Sequence, residues 1–176
     1  GPDSTHFVDI VKVFKEAGAN GVSLFANDRV LRIDIETGMP VNHGPCGGTS
    51  NHFKAHTMKW VSEITQALDF PVLGGRGVNE YEDAIEYLMA GASGVEVCAA
   101  GIIHGLKHIQ VILKGIESFM ERKGYRSIDG IRRSALKHIL SHRQMIDDVR
   151  ALYAEVDLKK CIGCRTCLKM CPQQPH

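Results

Sequence analysis

Pro71-Val72-Leu73-Gly74-Gly75-Arg76-Gly77-Val78, followed further on by Gly94-Val95-Glu96-Val97-Cys98-Ala99-Ala100-Gly101, decides the fold. Each stretch is a short apolar run that ends in small residues, the pattern of a buried strand leaving its sheet through a tight turn. Between them Tyr81, Ala84, Ile85, Leu88 and Met89 recur at helical spacing, and Gly91 stands where that helix stops. Working outward, Met58, Val61, Ile64 and Leu68 predict a helix before the first stretch, and Ile109, Ile112, Leu113 and Ile116 predict another after the second, running on towards Met120. Further upstream, Phe7, Ile10, Val11 and Phe14 mark a helix over residues 5–17 with Gly18 as its stop, and Gly21-Val22-Ser23-Leu24-Phe25 reads as a short buried strand. Helices alternating with single apolar strands predict an α/β protein with a parallel sheet and right-handed crossovers. Periodicity leaves a doubly wound sheet and a (β/α)8 barrel both open. A barrel needs eight strands and roughly 250 residues, so on that reading the chain holds the last three strands with the helices around them.

The 176 residues carry 21 Lys+Arg against 20 Asp+Glu, a formal charge of +1, and show no basic stripe interleaved with aromatics. Nucleic acid is therefore not an expected partner. Neither an apolar window of membrane-spanning length nor the basic and apolar start of a signal peptide occurs, so the expected location is the cytoplasm, with no membrane contact. The sequence opens Gly1-Pro2-Asp3-Ser4 without an initiator Met and reads as a fragment. A long connection rich in Gly, Pro, Asn and His runs from Phe25 to about Phe53, too long to be a simple turn. Three regions are expected: βα units over 1–124, a helical connector over 125–155 with a charged helix from Ile131 to Leu152, and a cysteine module over 156–176. The connector carries too little apolar surface for a core of its own and is expected to lie on another part of the molecule.

The most specific motif is Cys161-Ile162-Gly163-Cys164-Arg165-Thr166-Cys167-Leu168-Lys169-Met170-Cys171-Pro172. C-x2-C-x2-C-x3-C-P spacing wraps thiolates around a cuboidal iron–sulfur cluster, whereas a four-cysteine zinc site prefers two knuckles separated by a longer spacer. In two-cluster ferredoxins the fourth cysteine of such a run ligates the other cluster, and no second run is present. The small residues at 74–77 and 98–101 either make tight turns or let backbone N–H groups approach a phosphate, with Arg76 adding charge. Asn42 to Asn51 is an anion nest, a flap over a cofactor, or a solvated polar loop. Its Cys46 has no neighbouring base in sequence to make it a nucleophile. Asn27 and Asp28, just past a strand end, either enter a site or cap a turn. His104/His108 and His138/His142 are spaced to share a helical face, where solvent exposure competes with metal binding. Trp60 and the phenylalanines are expected in the core.

Gly18 to Val22, Val72 to Val78, Asp83-Ala84, Ala90 to Ser93 and Val95 to Cys98 together resemble the dihydroorotate/dihydropyrimidine dehydrogenase flavoprotein family. Gly115 to Met120 and Lys123 to Ile128 are similar to the stretch that follows the barrel in that family. With its appended cysteines the whole looks most like the bacterial NAD-dependent dihydropyrimidine dehydrogenase type. The resemblance implies an FMN-binding (β/α)8 barrel, here its C-terminal portion, followed by a partial ferredoxin-like 4Fe–4S module. It implies oxidoreductase activity on the C=C bond of a pyrimidine-like substrate, an NAD(P)-linked electron-transfer subunit as partner, and an oligomer. The flavin phosphate is expected on Gly75, Arg76, Gly77, Cys98 and Ala99, with Gly47 near the flavin, Asn27 and Asp28 at the substrate, and Cys161, Cys164, Cys167 and Cys171 on the cluster. Arg76 stands where the family has glycine, and Asp28 where it has threonine. The family's general acid and its flavin-contacting lysine fall before Gly1, so no catalytic residue is expected here and the chain alone is expected to be inactive. The open edge left by the missing strands is expected to promote aggregation. The competing expectations are a non-enzymatic iron–sulfur electron-transfer or docking subunit, and a zinc-stabilised phosphate-binding module.

Overall fold

The structure, a computed structural model, describes residues 6–25, 28–31, 33–41, 46–48, 51–140, 156–157 and 159–170. Backbone contacts divide the chain into a unit over residues 1–139 and another over 140–176.

In the first unit, helix α1 (Phe7–Glu16) leads into β1 (Val22–Ser23), and α2 (Asn51–Ala67) leads into β4 (Val72–Gly74). Then α3 (Tyr81–Met89) leads into β5 (Gly94–Val95). The three strands are parallel in the order β1-β4-β5, with Val22 beside Val72 and Leu73 beside Gly94. Each helix thus returns the chain to the start of the neighbouring strand, as a parallel sheet requires. α2 packs on β4 and α3 on β5, with α1 against α2.

The core lies where this sheet meets its helices. Val61 and Ile64 of α2, Val72 of β4, and Ala84 and Tyr87 of α3 are fully buried. Burying each of Val61, Ile64 and Val72 contributes about 1.5–3 kcal/mol of transfer free energy. The predicted stripe on α2 is therefore the packed one, and Trp60 is buried as expected. On α1 only Val11 is buried, and Phe14 remains half exposed. That corrects the expected placing of every phenylalanine in the core. Phe14 lines an open apolar groove of about 370 Å³ between α1 and β1.

Three further expectations are corrected. The connection from Phe25 to Phe53 contains β2 (Asp28–Val30) and β3 (Cys46–Gly48), paired antiparallel with Asp28 opposite Gly48 and Arg29 opposite Gly47. A short helix, α4 (Ala99–His104), precedes α5 (His108–Lys123), so His104 and His108 lie on different helices divided by Gly105 at φ 81°. Their rings still meet, with centroids 4.7 Å apart. Finally, α6 (Ile128–Ile131) ends at Ile131, and no continuous helix follows over the described residues to 140. The chain turns there because the Arg133 and Ala135 amides donate to the Leu88 and Met89 carbonyls, at 3.0 and 3.2 Å. The carbonyls at the end of α3 have no partner within that helix, and Ile131 is fully buried beside them. His138 closes a short 3-10 turn (Leu136–His138), and His142 lies outside the described residues. The second unit contains α7 (Thr166–Met170).

Candidate functional site

The parallel strands bring two predicted segments to one edge of the sheet. Gly74 lies beside Val95, and the Glu96 amide donates to the Gly74 carbonyl at 2.8 Å, so the turns after β4 and β5 leave side by side. Gly75, Arg76 and Gly77 are buried in the first turn; Ala99 is half buried and Cys98 exposed in the second. A Cβ on Gly75 would lie 2.8 Å from the carboxylate of Glu96, so a larger residue there would make the Glu96 side chain shift. The same Glu96 oxygen accepts a hydrogen bond from Ser23 Oγ of β1 at 2.8 Å, which ties all three strand ends together.

Tyr87 sets the orientation of the first turn. Its single hydroxyl proton is shared between the Gly75 and Arg76 carbonyls, the latter at 2.9 Å. In a trans peptide C=O and N–H point in opposite directions, so the amides of Arg76 and Gly77 face away from α3. With its acceptors turned inward and its donors outward, this turn fits an anionic group. The Tyr87 phenol is pushed up to about 12, chiefly by burial, and stays a hydrogen-bond donor at any physiological pH. A second anchor lies at the start of α3, where Asp83 accepts from the Asn79 and Glu80 amides and closes a capping box with Glu80. Lys54 of α2 binds Asp83 at 2.6 Å and Glu86 at 2.7 Å.

The Arg76 side chain does not point out of the turn. Its guanidinium lies 4.7 Å over the ring of Phe53 and 5.5 Å from that of Phe25. Burial lowers its pKa from the ordinary value. Gly47 sits in β3 opposite Arg29; Asp28 opens β2, and Asn27 lies outside the described residues. Tyr87, Asp83 and Glu96 escape a reading by periodicity. The signal that could have found Asp83 is its place three residues after Glu80, the spacing of a capping box.

In the second unit Cys161, Cys164 and Cys167 are exposed and free of disulfides, while Cys171 lies outside the described residues. Gly163 and Arg165 take φ of 70° and 58°, giving the tight turns that such close cysteine spacing needs. Thr166 Oγ1 lies 3.3 Å from Cys164 Sγ, and this hydrogen bond is the first cause of that thiol's lowered pKa. Thiolate is the form that binds metal, so the donor set fits an iron–sulfur cluster. Among the described residues no three ligating side chains are already gathered.

A parallel βα sheet whose strand ends carry small-residue turns, followed by a cluster-type cysteine run, defines the class of α/β proteins with an appended iron–sulfur segment. The family model described as dihydroorotate dehydrogenase matches residues 1–120, and one described as 4Fe-4S binding domain matches residues 154–174. The chain belongs to the dihydroorotate dehydrogenase family. Among its relatives, the dihydroorotate dehydrogenase B (NAD(+)) catalytic subunit of Methanothermobacter thermautotrophicus is 32% identical over 130 residues, 73% of this chain and 43% of that protein. The same subunit from Methanosarcina acetivorans is 37% identical over 131 residues, 74% and 42% of the two chains. The chain thus spans less than half the length of the curated relatives it matches. A crystal structure of DHODH from Eimeria tenella in complex with ferulenol aligns with TM-score 0.62 at 22% identity, covering 80% of this chain and 37% of that one. At that identity the likeness establishes the fold, a portion of the (β/α)8 barrel. The cofactors that go with the family and the cysteine segment are FMN and a 4Fe–4S cluster. Among the described residues no helix is long and apolar enough to cross a membrane.

Proposed function

We propose that this chain is the phosphate-holding and cluster-bearing portion of an FMN and iron–sulfur oxidoreductase acting on the C=C bond of a pyrimidine ring. The observation that carries this reading is the pair of turns after β4 and β5, side by side at one sheet edge, with Tyr87 turning the Gly75 and Arg76 carbonyls inward. FMN, when bound, supplies hydride and single-electron chemistry, and the cluster passes single electrons onward. The backbone of Gly75, Arg76, Gly77, Cys98 and Ala99 holds the phosphate, Gly47 approaches the flavin, and Asn27 and Asp28 face the substrate. Cys161, Cys164, Cys167 and Cys171 hold the cluster. The names of the relatives favour dihydroorotate over an unsubstituted dihydropyrimidine as the ring. The same names, which specify a catalytic subunit and NAD(+), support an NAD(P)-linked electron-transfer subunit as partner; an oligomer in the cytoplasm belongs to the same proposal. The three regions 1–124, 125–155 and 156–176 serve as flavin-binding βα units, connector and cluster module.

The test is anaerobic purification and reconstitution of the chain with iron, sulfide and FMN, followed by metal, sulfide and flavin analysis. Near-equal iron and sulfide, with FMN approaching one per chain once the remaining barrel strands are supplied, is the expected result. The isolated chain should show no turnover with dihydroorotate. Iron and sulfide without flavin in the completed barrel would replace the enzyme reading with that of an electron carrier, and zinc alone would overturn both.

A further inference from the structure

Arg76 occupies an unusual position. Its backbone takes φ 73°, a conformation that costs an L-residue of order 1–3 kcal/mol and favours glycine. Phe25, one of its two ring partners, takes φ 57°. Two of the strained non-glycine residues therefore meet in one contact, the guanidinium of Arg76 lying 5.5 Å from the Phe25 ring and 4.7 Å from the Phe53 ring. Strain is retained where surrounding interactions hold it, and it gathers at functional sites. These two rings bracket the antiparallel pair, since Phe25 precedes β2 and Phe53 follows β3.

We propose that Arg76 is a positioning residue that fastens both ends of the β2–β3 hairpin to the turn after β4 through its contacts with Phe25 and Phe53. One cation thereby links the turn assigned to the flavin phosphate with the hairpin that carries Gly47 and Asp28. The clamp is anchored on both sides. Phe25 stacks edge-on against Phe7 of α1 at 4.8 Å, and Phe7 against Trp60 of α2 at 4.9 Å. Phe53 is held within α2, where its carbonyl accepts from Thr57 Oγ1 at 3.0 Å. A planar guanidinium stacks on aromatic rings better than an ammonium does, so lysine substitutes only in part. The consequence for the flavin rests on the proposed function above; the clamp itself does not.

The position allows a test that separates clamping from general stability. Arg76→Gly removes the cation but relieves the positive-φ strain, so the thermal midpoint of the full chain should hold or rise. Tryptic cleavage after Arg29, inside the hairpin, should nevertheless accelerate by about tenfold. Phe53→Leu should accelerate it similarly, and Arg76→Lys should fall between Arg76→Gly and the parent. Cleavage after Arg29 that is unchanged in both Arg76→Gly and Phe53→Leu overturns the proposal, as does acceleration that only follows a fall in thermal midpoint. FMN titration of the same variants, in the barrel completed with its remaining strands, should show affinity lowered by about tenfold. If the parent binds no FMN while the cleavage difference persists, the clamp stands and the flavin reading falls.

Discussion

The Tyr87 side chain does the most specific work of any in the described structure. It is fully buried, yet its hydroxyl lies at the two carbonyls that shape the turn after β4. Tyr87→Phe leaves those acceptors without their donor at almost unchanged volume, and should destabilise the chain by about 1–3 kcal/mol. Urea unfolding measures the loss, and it should be constant between pH 6 and 9 because the phenol does not titrate there. Cys164 offers a second test at this scale. The Thr166 hydroxyl favours its thiolate, so Thr166→Val should move the midpoint of Cys164 alkylation to higher pH in the metal-free chain. A titration of the iodoacetamide rate against pH, followed by peptide mapping, would reveal an unmoved midpoint if that hydrogen bond has no influence.

At the level of elements, α3 is held at both ends by partners distant in sequence. Its last carbonyls receive the Arg133 and Ala135 amides, and its first turn receives Lys54 of α2. Burial pushes the Asp83 carboxyl up, but the Lys54 ammonium and the Glu80 and Asn79 amides outweigh it, leaving the carboxyl below its ordinary value. Burial pulls Lys54 down, but hydrogen bonds from its ammonium to Asp83 and Glu86 outweigh it, leaving the amine above its ordinary value. A depressed carboxyl stabilises the fold above its unfolded pKa of about 3.9, and that contribution is lost as pH falls through the lower folded value. A raised amine stabilises below its unfolded pKa of about 10.4, and that contribution is lost as pH rises through the higher folded value. The difference in thermal midpoint between the parent and Lys54→Met should therefore be level through neutral pH and shrink towards both extremes. A difference that does not vary with pH would show that packing of the lysine stem, not its charge, is what counts. The alternation of helix and strand made α1, α2, α3 and α5 visible in the sequence. The β2–β3 hairpin was not visible, because Cys46-Gly47-Gly48 has neither alternation nor the branched and aromatic residues that favour strands.

For the molecule as a whole, the two units carry different chemistry and should fail independently. Cys167→Ser should abolish or deplete the bound cluster, read as lost iron and lost visible absorbance, while leaving the thermal unfolding of residues 1–139 unchanged. A common shift in both signals would show the two units to be one cooperative body. The redox class was legible because cysteine spacing encodes ligand geometry locally, from Cys161 to Cys171. The turn after β4 was legible only in part. Gly75 and Gly77 mark it in sequence, but the partner that orients it, Tyr87, comes from the next helix, and the sequence alone could not show Arg76 reaching back to Phe25 and Phe53. The ring contacts behind that clamp have an optical consequence. Trp60 is the sole tryptophan of the chain; it is buried, touches Phe7 of α1, and its Nε1 donates to His56 at 3.3 Å. The protein therefore carries a built-in fluorophore at the α1–α2 seam. Its emission should shift to the red when α1 detaches from α2, reporting that local event before the helical circular dichroism of the molecule changes.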